Sequence, residues 1–221
     1  MENPFYPVEQ IDLDVAAIYA DFLPETIFDA HVHMYQRAAI PSFRGERSPF
    51  VRSAASPQAY EFDMSPFLPG VTSMRMNMMP MPDPAMSELQ SGLREGANGY
   101  VSRLLQENTG HTGCAYVLAS DNEDQITDLI AKSGVHGIKC YSYGAGKVET
   151  ETLAVGEYLP EAAWVVANSL RLPIILHLMR PLALLDPDNL SYVTTMSHRY
   201  PNAQLVLAHC ARGFAAWTSV K

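Results

Sequence analysis

No stretch of this sequence approaches the ~20 consecutive apolar residues that a membrane-spanning helix needs. Its start, "MENPFYPVEQIDLD", has neither the basic region nor the apolar core of a signal peptide. The chain therefore reads as cytoplasmic. Basic residues are few: 15 Lys and Arg against 24 Asp and Glu leave a formal net charge of -9. They are also scattered, so the basic stripe that a phosphate backbone or an anionic bilayer would need is missing. Nucleic acid and membrane are excluded as expected partners. Cysteine is sparse too. Cys114, Cys140 and Cys210 are odd in number, lie in apolar runs and lack CxxC spacing, which leaves no basis for a disulfide framework or a zinc ribbon. They read as buried thiols. What remains is an ordinary globular composition, 221 residues that are 48% hydrophobic and 18% charged, enough for one sizeable core.

From residue 111 onward short apolar runs alternate with capped helical patterns. "HTGCAYVLAS" reads as a strand. "DNEDQITDLIAKSG" follows it with acidic residues in the first turn, Ile126, Leu129 and Ile130 at helical spacing, and a closing Gly134. "VHGIKCYSY", "LPIILHL" and "AQLVLAHC" are further strands, separated by the helical "LPEAAWVVANSLR" and "DPDNLSYVTTMSHRYP". Their near-continuous hydrophobicity is that of parallel strands covered on both faces. Alternation of this kind gives an α/β fold with a parallel sheet. With two earlier strands, six are expected, at about 26–34, 71–78, 113–120, 135–142, 172–178 and 203–210. Residues 1–25 read as an N-terminal segment, and 35–70, rich in Ser, Pro and Arg, as an inserted loop with little regular structure. The methionine-dense "SMRMNMMPMPDPAM" reads as a flexible strand-to-loop exit under a lid. "SELQSGLREGANGYVSRLLQENTG" reads as a helix loosened around Gly96 and Gly99.

In parallel α/β folds functional groups collect at the C-terminal ends of strands. His31 and His33 end the first strand in "FDAHVHM", where strand parity puts them on one face with Asp29 and puts Phe28, Ala30 and Val32 on the other. Lys139 ends the fourth strand, His177 the fifth and His209 the sixth. A single buried histidine is usually a hydrogen-bonded core residue, but four at matching positions have no shared reason as packing. Imidazoles around an open coordination position suit a divalent catalytic metal. Arg75, Arg180 and Arg212 follow strand ends and could hold a carboxylate in a bidentate fork, the competing reading being surface ion pairs. His111, His136 and His198 read as ordinary structural histidines.

"FDAHVHM" resembles the HxH signature on the first barrel strand of the amidohydrolase superfamily; "GIKCY", "LPIILHL" and "LVLAHCARGF" are similar to its fourth-, fifth- and sixth-strand motifs. The resemblance spans residues 26–214 and is greatest to the amidohydrolase-related branch that holds aminocarboxymuconate semialdehyde decarboxylase and pyrone-dicarboxylate lactonase. It implies a (β/α)8 TIM-barrel-like fold over 26–221, truncated after about six strands. It also implies His31, His33 and His177 as ligands of one divalent metal, Zn with Mn or Fe as alternatives, and His209 as the residue that positions or deprotonates the attacking water. Lys139 matches the strand-four lysine that bridges two metals in other members, against a substrate-facing role.

The last metal ligand of such barrels, an aspartate on strand eight, has no counterpart before the sequence ends at "RGFAAWTSVK"; two more units would need ~60 residues. The expected activity is hydrolysis of a small carboxylated, amide or lactone substrate by a metal-activated water. The rivals are non-oxidative decarboxylation, a metal-free lactonase, and an inactive fragment. Interior residues such as Ile175, Leu205 and Leu207 are expected to be poorly covered, so the chain is expected to self-associate, to aggregate, or to be the ordered part of a longer polypeptide.

Overall fold

A computed structural model describes residues 8–43, 52–87, 92–147 and 149–212. In chain order its elements are α1 (Gln10–Tyr19), β1 (Thr26–Gln36), β2 (Ala54–Ala55), α2 (Pro57–Met64), β3 (Ser73–Pro80), α3 (Leu93–Glu107) and β4 (Thr112–Val117). There follow α4 (Glu123–Ser133), β5 (Gly137–Cys140), α5 (Glu161–Leu170), β6 (Pro173–Leu176), α6 (Pro187–Arg199) and β7 (Gln204–Leu207). They form one seven-stranded sheet in the order β2-β1-β3-β4-β5-β6-β7, parallel except for the short antiparallel β2. Each parallel strand pairs with the next in sequence. That single winding direction belongs to a (β/α)8 barrel, whereas a doubly wound sheet reverses its order at a switch point. Among the described residues the sheet does not close, so the fold is a TIM-barrel-like α/β wall of six parallel staves.

The six parallel strands are those expected from the alternation. Local chemistry fixes the helices between them: Asn122 accepts the Gln125 N–H at the start of α4 in a reciprocal capping box, and Gly134 ends it with φ 65. Asp186 caps α6 from its side chain, with Pro187 as the first helical residue. The main core lies between sheet and helices and is built on Val32, Met76, Met78, Val117, Ile138, Trp164, Ile174 and Leu176. On the other face, strand register aligns Tyr116, Lys139, Ile175 and Val206 in one row across four strands. Gly137 sits one step below Lys139 in this interior. A Cβ there would stand 2.9 Å from Cys114 Sγ and 3.0 Å from Pro173 Cγ.

Several expectations need correction. The segment 35–70 is not structureless: α2 follows a Ser56 cap with Pro57 as its first residue, and 3-10 turns occupy Arg37–Ala39 and Ser65–Phe67. Residues 44–51 of that segment lie outside the described ones, as do 88–91 and 213–221. Helix α1, not anticipated, occupies the N-terminal segment. Within the described residues α3 runs unbroken through Gly96 and Gly99, because Tyr100, Val101 and Leu104 bury its face in the core. The methionines are not a strand exit: Met74, Met76, Met78 and Met79 are buried in β3. Cys210 is exposed while Cys114 and Cys140 are buried. Ile175, expected to be poorly covered, is buried against Met79, Cys114 and Ala208; Leu205 and Leu207 pack against the helix-side core, and the uncovered interior residue of β7 is Val206, 42% exposed.

Candidate active site

Five aromatic rings close a circuit at the C-terminal ends of the strands. Ring centroids stand 4.9 Å apart for His33 and His31, 4.9 Å for His31 and His209, and 5.0 Å for His209 and His177. Tyr141 completes the circuit, 6.0 Å from His177 and 6.1 Å from His33. Lys139, fully buried, comes up beneath it with Nζ 4.6 Å from the centre of the Tyr141 ring.

The histidines of β1 reach this point through an irregularity. The register between β1 and β3 shifts between Asp29 and Val32, so that Asp29 pairs with Met76, Val32 with Met78 and His33 with Met79. A one-residue step exchanges faces. Asp29 therefore shares the side of Val32 and the helices, not that of His33, which corrects the simple parity reading. There it accepts hydrogen bonds from Tyr60 Oη at 2.6 Å and from the His31 N–H at 3.0 Å.

His33 Nδ1 lies 3.3 Å from the Pro80 carbonyl, an acceptor that favours the Nδ1–H tautomer, with Nε2 3.1 Å from His31 Nε2. The Tyr141 hydroxyl lies 3.3 Å from His33 Nδ1 and 3.5 Å from the same carbonyl. Tyr141 was not singled out from sequence. Its signal was its place two residues after Lys139, on the same strand parity.

Electrostatics keep the imidazoles neutral. Burial, then the Lys139 and His209 charges, pushes His31 down to about 4 despite the opposing pull of Asp29. Burial, then His31 and Lys139, pushes His33 down to about 3, and burial with Lys139 and His209 does the same to His177. His209, on the exposed side, is lowered by desolvation, Lys139 and Arg212. Burial lowers the Lys139 amine to about 8, and Nζ has no hydrogen-bond partner.

His209 begins a turn in which residues 209–212 all have φ between 51 and 56. Such left-handed backbone is costly for residues with a Cβ and gathers at functional sites.

The three arginines part company. Arg75 is near the N-terminal start of β3 and donates to the Gly110 carbonyl, far along the strand from the ring circuit, so its expected strand-end placement does not hold. Arg180 pairs with Asp186 and Asp188 and donates from Nε to the Thr152 carbonyl. Arg212 stays beside the histidines, with Nη1 donating to the Met179 carbonyl at 2.8 Å. It lines a cleft of about 650 Å³ with His177, His209, Met179, Pro181 and Glu151. Glu151 had no sequence signal. Of the remaining histidines, His111 accepts the Met76 N–H, and His198 lies 2.8 Å from the Thr194 carbonyl in its own helix.

Neutral, desolvated imidazoles are the donor chemistry that a borderline divalent cation takes, and an unpartnered buried amine marks a polar site left unsatisfied by the protein alone. The donor set fits a metal in kind. In placement it is not yet a cage: among the described residues no group of three or more His, Cys, Asp or Glu stands in metal-holding geometry.

No protein-family model and no curated protein matches the chain. Among solved structures it is similar to a 4-oxalomesaconate hydratase from Rhodopseudomonas palustris, at 14% identity and a TM-score of 0.52 over 87% of this chain and 69% of that one. A dihydroorotase from Saccharomyces cerevisiae, solved with 5-fluoroorotic acid, gives 15% identity and a TM-score of 0.40, over 81% of this chain and 46% of that one. The likeness to the hydratase shows a shared fold.

Proposed function

We propose that this chain carries a metal-dependent hydrolytic site of amidohydrolase type, for a small carboxylated amide or lactone. The observation that carries the reading is the circuit of four imidazoles above a buried lysine at the C-terminal ends of the strands. That is where barrel folds place their chemistry. The four strand-end motifs of the sequence support the same reading.

His31, His33 and His177 would hold the cation, with Lys139 beside them. Bound there, a divalent cation would supply Lewis-acid polarisation of a carbonyl and a more acidic water. The protein's own groups do the rest. The Pro80 carbonyl favours the His33 tautomer whose Nε2 lone pair faces the site. His209, open to the cleft, takes a proton from water as it adds to the substrate carbonyl and returns it to the departing amine or alkoxide. Arg212, anchored on the Met179 carbonyl, draws the substrate carboxylate toward the histidines.

The test pairs two variants against a panel of carboxylated lactones and amides. His209→Asn should leave bound metal nearly unchanged and lower kcat by ~10²-fold, the scale of losing a proton-transfer group. His31→Ala should lose metal and turnover together. If His209→Asn strips the metal, or if turnover survives chelation, the assignment of roles is wrong.

A further inference from the structure

The cleft beside the histidines carries opposite charges. Arg212 brings a positive charge held in place by the Leu178 and Met179 carbonyls. Glu151 brings a carboxylate into the same cleft. The turn that carries it, Thr150–Thr152, is strapped down: the Arg180 Nε–H donates to the Thr152 carbonyl at 2.8 Å, and Thr152 Oγ1 donates to the Glu149 carbonyl at 3.0 Å. Arg180 is itself held by Asp186 at 2.9 Å and Asp188 at 2.7 Å. Its guanidinium is thus a strap on the Glu151 turn.

A carboxylate carried by this strapped turn, in a cleft that also offers the Arg212 guanidinium, opposes ligands that are anions and nothing more. A ligand with nothing but carboxylate and methylene would meet repulsion from Glu151 and leave it without a partner. A ligand with an N–H or O–H beside its carboxylate would turn that repulsion into a charge-assisted hydrogen bond. From this juxtaposition we infer that the cleft takes a carboxylate bearing an amine or hydroxyl donor, and that Glu151 reads the donor while Arg212 holds the acid. The inference rests on the cleft being the substrate site and goes beyond it by naming what the substrate must carry.

Three four-carbon diacids test it on the metal-free chain by isothermal titration: succinate, malate and aspartate, which differ only in hydrogen, hydroxyl or ammonium at one carbon. Malate or aspartate should bind about tenfold more tightly than succinate, the scale of one hydrogen bond to a charged group. The stronger of the two identifies the donor. Glu151→Ala, a change at an exposed side chain, should bring the three within about twofold of one another without weakening succinate. Equal affinities in the native chain, no binding of any of the three, or a preference that survives Glu151→Ala overturns the inference. Because no cation is present, failure of the metal assignment leaves these affinities where they are; failure here with metal binding intact removes the donor subsite alone.

Discussion

Lys139 is buried in the barrel interior with no hydrogen-bond partner and with its amine pushed down to about 8. A group in that position lowers stability relative to an apolar side chain of similar shape. Lys139→Met should therefore raise the unfolding free energy by ~1–3 kcal/mol in urea while abolishing function; a less stable variant would mean that its contact with the Tyr141 ring outweighs desolvation. The buried histidines set a pH dependence of known sign. His33 and His177 have native values of about 3 against 6.5 in the unfolded chain, so between those limits the unfolded state binds more protons. Stability of the metal-free chain then falls as pH drops through 6.5 and keeps falling toward 3. A stability flat from pH 7 to 4 would contradict the neutral, desolvated imidazoles. At this scale the sequence was informative where residue type and strand end coincided, as for His31, His33, Lys139, His177 and His209. It was silent on Glu151, which reaches the cleft from a turn whose position depends on Arg180.

The elements divide in the same way. Strands β3 to β7 and helices α4 to α6 were legible from the alternation of apolar and helical runs, helped by the Asn122 cap and closing Gly134 of α4 and by Asp186-Pro187 at the start of α6; α3 was expected, but as a helix loosened at its glycines. Asn122→Ala should cost about 1 kcal/mol, the usual loss of an N-cap, with β-sheet content unchanged by circular dichroism. Gly137→Ala should cost more, about 1–3 kcal/mol, since its Cβ would press on Cys114 and Pro173 in the barrel interior; an unchanged melting point would show that strands β4 to β6 can spread there. The shift in β1 was hidden, because period-two parity assumes a regular ladder and nothing in "FDAHVHM" announces the step. Helix α2 could have been found from Ser56-Pro57, a capping residue before a first-turn proline. Helix α1 did carry a helical signal that went unread: Ile11, Val15 and Ile18 stand at i, i+4 and i+7 on one face, although all three are exposed and Ala16 alone is buried.

For the molecule as a whole, parallel strands that pair in strict sequence order make a barrel wall, and among the described residues the wall stays open beyond β7. The inner face ends on Val206, 42% exposed, and among the described residues no strand pairs with the outer edge of β7. Both favour association. Light scattering should find the chain self-associated at micromolar concentration, and Val206→Lys, which puts a charge on that edge, should shift it toward a 24.4 kDa monomer. A native monomer would show that the edge is protected.

On the proposed reading His31, His33 and His177 hold one metal, with His209 beside them as the proton-transfer group. This is tested most directly by titrating the metal-free chain with Co²⁺ and reading the visible ligand-field spectrum and the stoichiometry. About one Co²⁺ per chain should bind in a low-symmetry, nitrogen-rich site. That spectrum should be lost in His31→Ala and His177→Ala and retained in His209→Asn. Absence of a spectrum in the native chain, or one indifferent to His31 and His177, would contradict it.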